Sequence, residues 1–125
     1  MTRRSLSLSL IVFALLLSGR ALLAADITGK WTASFDTQIG RQDYTYDFVV
    51  KDTTLTGKLK SNLGEGEILD GKVDGDKVTF VEILKFEGNE VRITYTGKIV
   101  SADEIQFTRQ VADFATEELV AKRAK

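Results

Sequence analysis

Hydrophobic and polar residues alternate along most of this chain. Trp31, Ala33 and Phe35 alternate with Lys30, Thr32, Ser34 and Asp36, and Tyr44, Tyr46, Phe48 and Val50 with Asp43, Thr45, Asp47 and Lys51. The period continues through Leu55, Gly57 and Leu59, then Val78, Phe80, Leu84 and Phe86, then Val91, Ile93, Tyr95 and Ile99, then Ile105 and Phe107. A period of two sends successive side chains to opposite faces, so each run predicts a strand with one buried face. Short polar or glycine-containing breaks at Ile39-Gly40-Arg41, Lys51-Asp52-Thr53, Asp74-Gly75-Asp76 and Glu87-Gly88-Asn89 predict hairpins between antiparallel strands. Asn62 to Gly66 predicts a longer glycine-rich connection. The pattern gives about eight strands at roughly ten-residue spacing, an all-β antiparallel up-and-down sandwich or barrel.

The last segment is open to two readings. Phe114 to Lys125 holds good helix formers behind a potential cap at Asp113. Leu119, Ala121 and Arg123 also alternate with Glu118, Val120 and Lys122. A closed sheet needs a final strand, so a strand is expected.

The first 25 residues break the pattern. Arg3 and Arg4 precede an apolar run from Leu6 to Leu17, and small residues follow from Ser18 to Ala25, which is the order of a cleavable signal peptide. Cleavage after Ala24 or Ala25 fits the length; cleavage after Ala21 offers a better −3 residue in Gly19. The run is short for a membrane-spanning anchor. A signal peptide over residues 1–25 and a single barrel domain over 26–125 are therefore expected, with a periplasmic or secreted destination.

Composition narrows the chemistry. The chain has no Cys, His or Pro. This removes disulfides, thiol nucleophiles and the commonest general base and metal ligand. Losing Arg3, Arg4 and Arg20 with the leader takes the basic count from 17 to 14 against 18 acidic residues, a net charge of −4. Nothing here predicts nucleic-acid or membrane binding, both of which draw on basic patches. No cofactor or metal is expected. Gly66, Gly71 and Lys72 have phosphate-loop spacing, but Val73 stands at the hydroxyl position and no helix is predicted after it. The acidic stretch Asp70 to Asp76 lacks calcium-loop spacing and its closing Glu.

Thr28-Gly29-Lys30, Thr56-Gly57-Lys58, Asp70-Gly71-Lys72 and Thr96-Gly97-Lys98 form a weak repeat within strand-like runs. Glycine inside a strand relieves crowding where a sheet bends or backbones approach, so an architectural role is expected.

Asp26-Ile27-Thr28-Gly29-Lys30-Trp31 resembles the Gly-x-Trp that opens the first strand of the calycins, the group of lipocalins, fatty-acid-binding proteins and avidins. The resemblance implies an eight-stranded barrel and a basic residue on the closing strand packed on the Trp, a part that Ala121-Lys122-Arg123 offers through Arg123. Thr54-Leu55-Thr56-Gly57 resembles an avidin turn, but avidins line their site with several Trp and this chain has one. Its start and end also resemble small exported bacterial proteins.

Two charges fall on apolar faces. Glu82 is in phase with Val78, Phe80, Leu84 and Phe86, and Arg109 with Ile105, Phe107 and Val111. Buried charges need partners, so the two either pair across the lumen or a bulge turns Glu82 outward. Tyr44, Tyr46 and Tyr95 share the inward phase. Apolar walls with a few placed polar groups suit a small ligand. Tyr44, Tyr46, Phe80, Glu82, Tyr95 and Arg109 are therefore the candidate contacts for an apolar or amphipathic molecule. The alternative is a solid barrel serving as a protein-interaction or inhibitor module, with Gly40 to Asp43 and Asn62 to Glu67 as the contact loops. Some small periplasmic barrels with a similar start inhibit secreted proteases. No enzyme activity is expected; a barrel isomerase or lyase is the remaining option.

Overall fold

The computed structural model describes residues 26–125; the expected signal peptide and its cleavage points lie outside them. Nine strands form one closed antiparallel sheet: β1 (Gly29–Thr37), β2 (Gly40–Lys51), β3 (Thr54–Ser61), β4 (Gly64–Glu67), β5 (Leu69–Asp74), β6 (Lys77–Phe86), β7 (Asn89–Ser101), β8 (Glu104–Val111) and β9 (Ala115–Arg123). Consecutive strands pair throughout except β4 and β5, which both pair with β3, and β9 returns to β1 with Trp31 opposite Arg123. The C-terminal segment is thus a strand. Closing the sheet leaves no free edge there, and this overrides the helix propensity of its residues.

The ring has eight staves, because β4 and β5 share one. Lys58 of β3 faces Glu67 of β4, whereas Leu55 of β3 faces Gly71 of β5. The break falls at Ile68, whose N–H reaches the Gly57 carbonyl at 3.0 Å. Asp70 has a positive φ of 51°, and the register against β6 slips between Leu69 and Lys72. This bulge aims β4 away from the β5 ladder. Beyond Val81, β6 therefore has a ladder partner only in β7, and a slit runs between β4 and the second half of β6.

The hairpin tips differ from the expected breaks by a residue or more. Thr37 pairs with Gly40, so Gln38 and Ile39 make the first tip and Arg41 already belongs to β2. Ser61 pairs with Gly64, so Asn62 and Leu63 make a tight turn and Gly64 to Glu67 form β4 instead of a long loop. Glycine composition suggested a loop there, but cross-strand bonding to β3 holds the segment extended. Both contact loops of the inhibitor reading are therefore mostly strand.

The repeat glycines sit where a side chain would collide. A Cβ at Gly57 would strike the Asp47 carbonyl oxygen, and φ there is +145°. A Cβ at Gly97 would enter the ring of Phe107, its partner across β7 and β8. These positions let the sheet curl tightly enough to close over aromatic side chains.

Up-and-down order puts alternate tips at opposite ends. At one end, the floor, Arg123 reaches three carbonyls: Nε to Ala102 at 2.9 Å, Nη1 to Thr28 at 3.0 Å and Nη2 to Asp26 at 3.0 Å. Its guanidinium lies 4.7 Å from the Trp31 ring centre, and Trp31 Nε1 donates to the Ile27 carbonyl at 2.9 Å. Above this floor the lumen is filled by Trp31, Tyr46, Phe48, Phe80, Tyr95 and Phe107, all buried. Phe80 and Tyr95 stack at 4.2 Å between centres, and Tyr95 meets Phe107 edge-on at 5.6 Å. The lower barrel is therefore a packed core.

Candidate functional site

Strand register assembles the site at one level of the barrel. Phe80 of β6 faces Tyr95 of β7, Tyr95 faces Arg109 of β8, and Arg109 faces Glu117 of β9. From the other wall, β2 sends Gln42, Tyr44 and Tyr46 inward on alternate positions, and β6 sends Glu82 two residues beyond Phe80. The bulge lies in β5, so Glu82 keeps its inward phase.

These side chains form one hydrogen-bonded network. Tyr44 Oη donates to Glu82 Oε2 at 2.8 Å, and Tyr95 Oη donates to Glu82 Oε1 at 2.9 Å. The single Tyr95 proton is committed to the carboxylate, so Tyr46 Oη is the donor in the 3.0 Å contact between the two phenols. Arg109 Nη1 donates to Tyr95 Oη at 2.8 Å and lies 3.7 Å from Glu82 Oε1. Glu82 and Arg109 thus pair across the lumen with Tyr95 between them. Arg109 Nε approaches Glu117 Oε1 at 2.9 Å, but the N–H is not aligned on that oxygen. The contact is an ion pair, and both atoms keep an unmade hydrogen bond. Gln42 Oε1 is buried with no partner either. The Arg109 guanidinium also lies 5.0 Å from the Phe35 ring centre and 5.1 Å from that of Tyr44.

Burial raises the Glu82 pKa above the ordinary carboxylate value, while Arg109 and the two phenol donors act the other way. Two phenol donors and a guanidinium beside the carboxyl favour its ionised form against that burial. Burial also works against the charge on Arg109, but Tyr95, Tyr44 and Glu82 outweigh it and raise its pKa. Burial pushes the Tyr44 phenol up to about 12 and holds those of Tyr46 and Tyr95 well above the usual value.

These are the only three tyrosines in the chain. The folded protein should therefore show no phenolate absorbance at 295 nm as pH passes the ordinary tyrosine value of 10.0. Groups whose pKa rises on folding stabilise the native state below their unfolded pKa, and that stability is lost as pH climbs towards the folded value. The phenolate signal should appear together with alkaline unfolding between 10.0 and about 12, followed by circular dichroism. A separate phenolate step at ordinary pH in the folded protein would contradict the buried network.

Two cavities border the network. A cup of about 680 Å3 opens at the mouth, the end opposite the floor, with Gln42, Tyr44, Arg109 and Glu117 at its base. A cleft of about 380 Å3 follows the slit beside β4 and reaches Glu82. A larger groove of about 810 Å3 lies over Gly97 and Phe107, flanked by exposed Thr96, Lys98, Gln106 and Thr108. None of the buried unpartnered atoms borders it.

Of the six sequence candidates, Tyr44 and Arg109 face the cup and Glu82 faces the cleft. Tyr46, Phe80 and Tyr95 line neither, since neighbouring rings close over them. The aromatic rings expected along the lumen fill the lower barrel, and open volume begins above Tyr44. Sequence reasoning missed Gln42 and Glu117. Both share an inward phase with residues already identified, Gln42 with Tyr44 and Tyr46, Glu117 with Leu119 and Ala121.

Comparison with family models, curated proteins and solved structures yields no match to this chain. The closed antiparallel barrel is consistent with a calycin-like fold.

Proposed function

We propose that this protein is an exported binding protein for a small amphipathic molecule, held in the cup at the barrel mouth. The observation that carries the reading is the meeting of an apolar-walled cup with three buried polar atoms that lack hydrogen bonds: Gln42 Oε1, Arg109 Nε and Glu117 Oε1. Such atoms cost about 1–3 kcal/mol each when left unpaired, and a ligand bearing polar groups would recover part of that cost. Export rests on the signal-peptide order of the first 25 residues. No catalytic step is assigned, because Glu82, Tyr44 and Tyr95 are engaged with one another.

A second reading, a protein-interaction module, draws on the crown of the cup. Ile39, Leu63 and Phe114 sit on three tips around the mouth and are 49%, 37% and 67% exposed. The packed lower barrel also suits it.

Native mass spectrometry of protein from the exported fraction of its own host separates the two, together with fluorescence titration by the neutral dye N-phenyl-1-naphthylamine. The binding reading expects a small-molecule adduct lost on denaturation and saturable uptake of one dye per chain. A bare polypeptide with no saturable uptake would reject it and leave the crown as the functional surface, to be tested by pull-down.

A further inference from the structure

The chemistry at the base of the cup specifies the ligand's polar end. Arg109 is flanked by two carboxylates, Glu82 at 3.7 Å and Glu117 at 2.9 Å, so the cluster carries one net negative charge. Its charge is already balanced from two sides: Nη1 donates to Tyr95 beside Glu82, Nε lies in the Glu117 ion pair, and the guanidinium rests near the rings of Phe35 and Tyr44. Glu117 Oε1 is left as an acceptor without a directed donor. The Gln42 amide can turn either end towards the cup, so Glu117 and Glu82 set the sign of the preference.

A carboxylate head entering this cup would meet an arginine that two acids already hold, and it would stand beside Glu117. Like charges brought together out of water repel strongly. An ammonium head brings three N–H donors and no acceptor. It would pair with the Glu117 carboxylate, donate to the Gln42 oxygen once that amide turns towards the cup, neutralise the excess charge and lie near the Tyr44 ring, which attracts cations. Ile39, Leu63, Leu84, Val91, Val111 and Phe114 offer an apolar wall to the rest of the molecule. Among the charged residues nearer the rim, Arg92 is turned to Asp70 at 3.7 Å, while Glu90 adds another acid.

We propose that the cup selects an amphipathic amine, its ammonium seated between Glu117 and Gln42 and its hydrocarbon part against the apolar wall. The proposal rests on the cup being the binding site.

The test is displacement of bound N-phenyl-1-naphthylamine by decylammonium, decanol and decanoate, three probes with one tail and different heads, at neutral pH and below their aggregation concentrations. Decylammonium should bind at least about tenfold more tightly than decanoate, with decanol between, a difference of about 1.4 kcal/mol. Glu117→Gln, which removes the excess charge, should erase most of that difference. Equal affinities, or tighter binding of decanoate, would overturn the amine assignment and leave the cup as a binding site of another preference. Failure of all three heads and of the dye would overturn the cup reading itself. A preference for decylammonium that survives Glu117→Gln would overturn the seat at Glu117. If that variant does not fold, the wild-type series decides the sign alone.

Discussion

Replacing Arg109 by Met should remove about 3–5 kcal/mol of folding stability, because it leaves buried carboxylates facing one another without their cation. Arg109 is 3% exposed and Glu82 1% exposed, so water cannot replace the lost partner without opening the barrel. Glu82→Gln should cost less, about 1–3 kcal/mol, since an amide still offers an acceptor to a phenol and Arg109 keeps Glu117. The double variant should lose less than the two single losses added together, because each removes the charge that strands the other. Urea denaturation at neutral pH reads all three without screening the charges. Strictly additive, near-zero effects would show that the two groups act independently. The pH dependence carries a sign of its own. The Glu82 pKa is raised in the folded state, so its contribution favours folding at pH below the ordinary carboxylate value of 4.5 and is lost as pH rises through the raised value. Glu82→Gln should abolish that slope, so the stability gap between variant and wild type should change across the same window.

Trp31→Ala should cost about 3–5 kcal/mol, the range for emptying a large buried site. Trp31 is fully buried, lies beneath the Arg123 guanidinium, and packs 6.3 Å from Phe48 between ring centres. Its loss opens a cavity at the floor and takes away the surface on which Arg123 rests. Arg123→Met should cost less, because three backbone carbonyls at the barrel rim can find water. A thermal midpoint of Trp31→Ala within a few degrees of wild type would mean that the floor collapses without strain.

The strands and their inward faces were legible because period-two alternation is a local property. Trp31, Tyr44, Phe80, Glu82, Tyr95 and Arg109 all point where their phase places them. Phase offered the Glu82–Arg109 pairing as one of two alternatives, the other being a bulge that turns Glu82 outward; the bulge falls in β5, and the pair forms. What alternation does not carry is depth along the barrel axis. Tyr44 and Tyr46 are two residues apart with the same phase, yet one borders the cup and the other lies under stacked rings. That distinction depends on register across several strands and on where the tips fall. The β4 segment was misread for a related reason: its glycines suit a loop, and only pairing with β3 makes it extended. Gln42 and Glu117 were within reach of the same phase argument, at the next inward positions beyond Tyr44 and Leu119.

The stitch between Trp31 and Arg123 also has a kinetic meaning. It joins the first strand to the last, so almost the whole chain must be present before the cylinder can close. Contacts this distant in sequence carry a loop-closure cost that slows folding. A chain threaded across a membrane from its N-terminus would hold β1 waiting until β9 emerged. In such a passage the delay would keep the barrel open and couple its closure to the end of translocation.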